Sequence, residues 1–299
     1  MVYTEIKEKN GKKYYYRVLN ARIGDKFKKK RIYLGVDLKE KEIKDKEEKA
    51  DKELSILSSL LTKEEIKSLE KIKNEFKKES IPYDNRYESF VSLFTYDSTA
   101  IEGNTLSLEE TSFLLFENRV PKTRLLREIN ETLNHKKAFD KMLEYNGDIN
   151  KEVICELHKT LVENTLRKEL VSQIGCYREM QVMIRGKEWL PPKPEEVPGE
   201  MKALLSWYSK NKKKLHPLIV ASYFHVAFET IHPFIDGNGR TGRLLMNFIL
   251  HKKGYPMINI PNRIKFDYYE VLHKAQVEGN LRPFIELMIK LLQENRIRF

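Results

Sequence analysis

At 299 residues, with a formal net charge of +11, a mean hydropathy of −0.57 and 33% charged side chains, the chain has the make-up of a soluble globular protein, which excludes collagen-like and membrane-spanning classes. A chain this long can bury roughly three quarters of its unfolded surface, enough for an enzyme-sized core without disulfide staples. Only Cys155 and Cys176 occur, not as a CxxC pair, and no basic-then-apolar leader opens the sequence; the expectation is a cytoplasmic protein with reduced thiols, no thiolate metal site and no membrane contact.

Residues 1–35 hold eleven Lys or Arg against three acids, so most of the excess charge sits at this end. Asn10-Gly11 lies between strand-like runs, Tyr14, Tyr15 and Tyr16 favour extended backbone, and Gly24-Asp25 offers a second turn before Arg31-Ile32-Tyr33-Leu34. That pattern predicts a small three-stranded basic sheet. Such a module suits DNA or RNA contact, with phosphates on Lys and Arg and tyrosines for stacking; it equally suits a solvated appendage. Residues 36–82 are dense in Lys and Glu, with Leu54, Leu57, Leu60 and Leu61 forming a short apolar stripe, which reads as a charged helical connector. Ile81-Pro82 breaks the helical pattern, because proline disfavours helix at the residue before it, and a third unit is expected over 83–299.

That unit is nearly all helical by its periodicity: Val220, Phe224, Ala227, Phe228 and Ile231, and later Phe284, Leu287, Met288, Leu291 and Leu292, recur at helical spacing. Gln181 to Leu190 departs from it. Val182 and Ile184 fall on one side of a short extended run, Gly186 marks a turn, and Pro191, Pro192 and Pro194 follow, so a β-hairpin with a proline-rich exit is expected. A lone hairpin among helices either shelters a core edge or clamps a ligand.

The stretch from Ile231 to Arg243, IHPFIDGNGRTGR, cannot be continuous helix. Pro233, Gly237, Gly239 and Gly242 break it, yet Leu244, Leu245, Phe248 and Ile249 resume the apolar period at once, so a loop runs directly into a helix. Gly237 and Gly239 let backbone N–H groups converge, the helix offers its positive end, and Arg240 and Arg243 add permanent charge: an anion site. Asp236 would repel phosphate there unless it held a divalent cation, most naturally Mg²⁺. His232 is the nearby group able to take a proton at neutral pH. Taken singly, a histidine before proline or a GxG turn is unremarkable. As HxFxDGNGRxxR, the eight defined positions have a chance frequency of roughly 10⁻¹⁰ per start.

This segment resembles the signature of the Fic (filamentation induced by cAMP) family, HxFx[DE]GNGRxxR, at every defined position, and the resemblance extends over roughly Tyr83 to Phe299. It implies a mainly α fold, a helical Fic core with a β-hairpin flap, here preceded by a charged helix and a small N-terminal β module. It also implies a protein adenylyltransferase that moves AMP from ATP to a Ser, Thr or Tyr hydroxyl of a target protein, with Mg²⁺. In that scheme His232 deprotonates the hydroxyl and Asp236 holds the metal. Gly237, Asn238, Gly239 and Arg240, with Thr241 and Gly242 behind them, grip the inner phosphates, and Arg243 takes the γ-phosphate. Val182, Met183, Ile184 and Arg185 of the flap line the ATP pocket, Tyr268 and Tyr269 fall at the adenine, and Gln276 stands where an asparagine is often found, displaced by one residue. The family's habit of dimerising extends the expectation to a homodimer.

Ser98, Glu102 and Gly103 form SxxxEG. Ser98 and Glu102 are four apart and share a helix face, and Gly103 can supply a left-handed stop. The segment resembles the Fic inhibitory motif [ST]xxxE[GN], placed N-terminal to the core as in the class II members, which implies that Glu102 occupies Arg243 and blocks the γ-phosphate; the plainer reading is a surface glutamate at a helix end. Two further readings stay open. Glu102 could instead orient water and remove AMP, or the basic module could make the chain a nucleic-acid-binding regulator.

Overall fold

Residues 2–23, 26–53, 57, 60–78, 82–184, 189–294 and 299 are described by the computed structural model. Asn10 and Gly11 both take positive φ, 54° and 73°, as a two-residue hairpin turn demands. They join β1 (Val2–Lys9) to β2 (Lys12–Ile23), with Lys9 opposite Lys12, and β3 (Lys26–Val36) adds antiparallel to β2 in the order β1-β2-β3. The expected second turn, Gly24-Asp25, lies outside the described residues. Because strand residues alternate faces, Tyr15 turns to one side, where it forms a small apolar cluster with Leu34, Ile32, Leu38 and Ile43 of α1 (Glu40–Glu53). Arg17 Nη1 reaches Glu47 Oε1 on the same helix at 3.1 Å. Tyr14, Tyr16 and Tyr33 gather on the opposite face, ring centroids 6.4 and 5.3 Å apart, and Tyr33 is 52% exposed.

The expected connector divides into two helices with different allegiances. α1 packs on the sheet, whereas α2 (Lys63–Phe76) buries Leu69 and Ile72 in the main helical core, together with Leu60 and Leu61. Its start is fixed by a capping box, Thr62 Oγ1 accepting from the Glu65 N–H at 3.1 Å and Glu65 Oε2 from the Thr62 N–H at 2.8 Å. Arg282 Nη1 donates to Glu65 Oε2 at 2.9 Å and the Tyr255 hydroxyl donates to Glu70, so side-chain bonds tie α2 to residues far along the chain.

Among the described residues nine α-helices follow: α3 (Tyr83–Ile101), α4 (Leu108–Phe116), α5 (Leu126–Glu144), α6 (Lys151–Val162), α7 (Val197–Asn211), α8 (Pro217–Ile231), α9 (Asn238–His251), α10 (Lys265–Val277) and α11 (Arg282–Glu294). The fold is mainly α, as the periodicity predicts. In α9 every residue from Arg240 to Leu250 is buried, and α8 buries Leu218 to Ser222, then Phe224 to Val226, Phe228 and Glu229. Helices enclosed on all sides occupy the centre of a fold, and the loop joining these two, residues 232–237, is therefore held from both ends by the best-packed part of the molecule.

The β-hairpin expected over Gln181–Leu190 does not appear among the described residues. Gln181 to Ile184 carries no strand pairing, and Arg185 to Glu188, including the expected turn at Gly186, lies outside them. Arg178 ties both ends of the segment to one side chain, its guanidinium donating to Met180 C=O at 3.1 Å and to Pro192 C=O, while Gln181 Nε2 donates across to Pro191 C=O at 3.1 Å. Among the described residues no helix is long and apolar enough to cross a membrane, and both cysteines are free.

Candidate active site

His232 ends α8 in the left-handed region (φ 50°, ψ 60°), a conformation that costs a non-glycine residue about 1–3 kcal/mol and persists only where its surroundings enforce it. Three contacts do so. The His232 N–H donates to Phe228 C=O at 2.9 Å, Arg178 Nε donates to His232 C=O at 2.9 Å, and the next residue but one, Phe234, is fully buried against the His158 ring, centroids 3.7 Å apart. Asn238 closes the loop from the far side: its Oδ1 accepts from the Phe234 N–H at 2.9 Å and its Nδ2 donates to Phe234 C=O at 2.8 Å.

Gly237 (φ 78°) caps α9. The N–H groups of Asn238, Gly239 and Arg240 open that helix, and first-turn donors have no carbonyl ahead of them. Arg240 lies within this turn, 2% exposed, its Nη2 3.6 Å from Asp236 Oδ1 and its Nη1 3.9 Å from Glu131 Oε1. Its Nε and Nη1 have no hydrogen-bond partner among the described residues. A buried guanidinium with unspent donors beside a helix N-terminus fits a polyanion, because an unsatisfied buried donor is costly. The Asp236 carboxylate is 43% exposed, with Oδ1 accepting from the Gly237 N–H at 2.7 Å. Among the described residues no three His, Cys, Asp or Glu side chains converge as a metal cage; a single carboxylate beside an anion site suits Mg²⁺, which keeps most of its shell as water and phosphate oxygen.

His232 lies in an enclosed environment. Burial pushes its pKa down to about 4, so the ring is neutral at pH 7. Its Nδ1 is closed off from solvent, and the Glu229 backbone carbonyl raises the ring's proton affinity against the effect of burial, which leaves Nε2 as the nitrogen able to receive a proton from outside.

Arg243, 1% exposed, is engaged by α3. Its Nε donates to Ser98 Oγ at 3.0 Å, and its Nη2 donates to Ser98 C=O and to Glu102 Oε1, both at 2.8 Å. Burial opposes the charge, but the Glu102 carboxylate, with Tyr268 and Glu229 nearby, holds the Arg243 pKa above the ordinary arginine value. Glu102 reaches this point because Gly103 (φ 101°) ends α3 there and because Gly239 has no side chain: a Cβ at 239 would collide with the Glu102 carboxylate and stand 3.0 Å from Arg243 Nη1. The structure thus brings together Ser98, Glu102, His232, Asp236, Arg240 and Arg243, from two helices and one loop distant in sequence.

Other expected residues lie elsewhere. Tyr268 is enclosed, 1% exposed, its hydroxyl 2.7 Å from His225 Nε2, so of the tyrosine pair only Tyr269 keeps an open edge; its hydroxyl donates to Ile101 C=O at 3.3 Å. Met183 is 82% exposed, Val182 and Ile184 are half-buried, and Arg185 lies outside the described residues. Gln276 is half-buried on α10 with Oε1 unpartnered among the described residues. Two supporting residues escaped sequence reading. His158 takes the Gly175 N–H on Nδ1 at 3.1 Å, which leaves Nε2 to donate to Asp236 C=O at 3.0 Å, and Arg178 anchors the loop as described. His158 occurs in an ordinary helical pattern and Arg178 in a loop, so neither carried a spacing signal.

Several known proteins are similar to this chain. Residues 148–250 match the model of the Fic/DOC family. The chain is 35% identical over 200 residues to protein adenylyltransferase Fic of Nematostella vectensis, covering 65% of this chain and 45% of that protein. It is 32% identical over 204 residues to protein adenylyltransferase fic-1 of Caenorhabditis elegans, covering 66% and 39%. The chain therefore spans less than half the length of these curated relatives. A Fic-domain-containing signaling protein from Bacteroides thetaiotaomicron superposes with a TM-score of 0.69 at 28% identity, covering 76% of this chain and 93% of that one. Residues 134–508 of Fic-1 from C. elegans superpose with a TM-score of 0.67 at 26% identity, covering 86% and 76%.

Proposed function

Since this chain carries a domain of the Fic/DOC family, we propose that it is a protein adenylyltransferase, transferring AMP from ATP to a hydroxyl of a target protein and held in check by Glu102. One observation carries the reading: a buried, neutral His232 stands in the loop that opens onto the α9 N-terminus, where Arg240 presents unpaired donors. The names of the similar proteins support it.

The N–H groups of Asn238, Gly239 and Arg240, with the Arg240 guanidinium, receive the inner phosphates and stabilise the charge that grows on them. Asp236 would hold Mg²⁺, which when bound draws charge from the phosphate oxygens. His232 takes the proton of the target hydroxyl at Nε2, the hydroxyl oxygen bonds to the α-phosphorus, and the bond to the bridging oxygen breaks, so that pyrophosphate leaves. Gln181 to Ile184 carries no strand pairing among the described residues, and an extended target segment can add there as a strand. Arg243 takes the γ-phosphate only after Glu102 releases it. Orders of magnitude in rate are at stake, because removing one partner of a buried ion pair typically costs about 3–5 kcal/mol; a partner or a change of assembly would supply the release.

The test is AMP transfer to cell proteins, read by mass spectrometry, from the parent chain and from Glu102→Gly. The variant should be faster by at least about tenfold, the equivalent of about 1.4 kcal/mol; equal rates would remove the brake from the account. Incubation with pre-adenylylated target separates the opposite direction, since AMP loss with the parent alone makes Glu102 a hydrolytic residue.

A second reading concerns the sheet. α1 covers one face, while the other keeps Tyr14, Tyr16 and Tyr33, with Lys7 over the Tyr16 ring at 6.0 Å, in a segment with eleven basic residues against three acids. Such a face suits nucleic acid. DNA affinity falling steeply with salt, and lost on deletion of residues 1–35, is the expected result; salt-independent binding contradicts it.

A further inference from the structure

Glu229 is a buried carboxyl that the mechanism above leaves unused. It precedes His232 by one helical turn and is 7% exposed. Its Oε2 lies 4.0 Å from His232 Nδ1, and its Oε1 has no hydrogen-bond partner among the described residues. On the facing helix the chain leaves room for it: a Cβ at Gly242 would stand 2.5 Å from Glu229 Oε1 and 3.0 Å from His225 Nδ1. A carboxyl wedged between the end of α8 and α9, with Oε1 unpaired among the described residues on the Gly242 side and Oε2 turned toward the closed nitrogen of the base, is costly unless it serves a neighbour.

We propose that Glu229 is the positioning residue of His232: its carboxyl receives the Nδ1–H, fixes the tautomer in which Nε2 is bare, and steadies the imidazolium as the proton arrives. The inference rests on the transfer reaction proposed above. It follows the general pattern in which a catalytic base is oriented by a third group. As the target proton reaches Nε2, the ring gains a positive charge, and a small rotation about the side-chain bonds of Glu229 or His232 closes 4.0 Å to hydrogen-bond distance. Glu229 is faced by His225 and His232 on its own side, Arg243 from α9, Glu102 from α3 and Tyr268 from α10. Burial pushes its pKa up to about 8; Arg243 pulls it down, while Glu102 raises it further. At neutral pH the carboxyl is therefore neutral and accepts through its carbonyl oxygen; above about pH 8 it becomes an anion beside the ring.

The experiment uses the full chain with Glu102→Gly as parent and adds Glu229→Gln or Glu229→Leu. Leucine, with no acceptor, should lower kcat at least about thirtyfold while the KM for ATP stays within about twofold. Glutamine, a neutral acceptor of the same shape, should recover most of that loss at pH 7 and abolish an inflection near pH 8 seen in the parent. Long-range ¹⁵N spectra of His232, recorded without nucleotide, should show the Nδ1-protonated tautomer in the parent and a mixture in Glu229→Leu. A loss of AMP transfer in the parent itself defeats the functional reading but leaves the spectra to decide this one. Unchanged spectra, a kcat within about threefold of the parent for Glu229→Leu, or a loss expressed only in KM overturns the proposal. Should the leucine variant not fold, superimposable pH profiles of parent and Glu229→Gln overturn it equally.

Discussion

Proton affinity at His232 is set by enclosure. A ring held near pKa 4 by burial is already a free base at pH 7, and its ability to work as a general base depends on where its two nitrogens point more than on titration. The account predicts a pH profile for Glu102→Gly whose acid limb lies low: transfer persists as pH falls to about 5 and then declines as the ring binds a proton. Initial rates from pH 4 to 7 check this, and a decline centred at 6.5 would mean an ordinary exposed imidazole. Replacing the ring with His232→Ala should cost at least about a hundredfold in kcat, within the usual range for general base catalysis, while nucleotide binding measured by calorimetry stays. On the proposed reading Glu102 acts through position in the same way: Arg243 is 1% exposed and bonded three times to α3, so its donors are engaged by Ser98 and Glu102.

At the scale of elements, α8, the loop and α9 form a preorganised unit, and the loop's shape comes from Asn238 as much as from its glycines. Asn238→Ala removes two bonds to Phe234 and should destabilise the chain by about 1–3 kcal/mol, with transfer reduced by at least about tenfold as the N–H groups lose alignment. Urea denaturation together with rates checks it; loss of neither makes Asn238 incidental. This unit was the most legible part of the sequence, because proline, glycines and paired arginines interrupt an apolar period in a way that only a loop feeding a helix can satisfy. Ser98 and Glu102 were legible as a shared face, and the family resemblance, not that face, pointed to Arg243 as the cation Glu102 would meet. His158, Arg178 and Glu229 were not, because their signal is an approach between distant segments: Gly175 to His158, Pro192 to Arg178, Gly242 to Glu229. At Gln181 to Ile184 alternation identifies an extended run without saying what pairs with it, and the expected turn lies outside the described residues. Tyr268 looked like a pocket residue by sequence position; its neighbour His225 decides otherwise.

Across the whole molecule, the basic sheet with α1 and the helical core with α2 have separate apolar clusters. The sequence reading drew one connector over residues 36–82; Lys and Glu dominate both of its helices, and Leu69 and Ile72 distinguish the one that joins the core. The core also concentrates histidines: His135, His158, His216, His225, His232 and His251 are all held below the ordinary imidazole value by burial. Such rings bind protons more readily in the unfolded chain, so stability is full above about pH 6.5 and falls as pH drops toward 4. A ring held near 4 instead of 6.5 withholds about 3 kcal/mol, at about 1.4 kcal/mol per unit. Glu229, raised from 4.5 to about 8, works in the opposite sense between those values but is outnumbered. Thermal unfolding followed from pH 7.5 to 4.5 should show a steep decline in Tm below about 6.5; a flat curve would contradict the burial of these rings.

The most direct measurement compares the parent chain, Glu102→Gly, His232→Ala and the Glu102→Gly/His232→Ala double variant, each incubated with magnesium ATP and a cell lysate and read by intact-mass and peptide mass spectrometry. The account predicts AMP on protein hydroxyls with the Glu102 variant, far less with the parent, and none with either His232 variant. AMP attachment that survives loss of His232, or none from any form that still binds ATP, would contradict it.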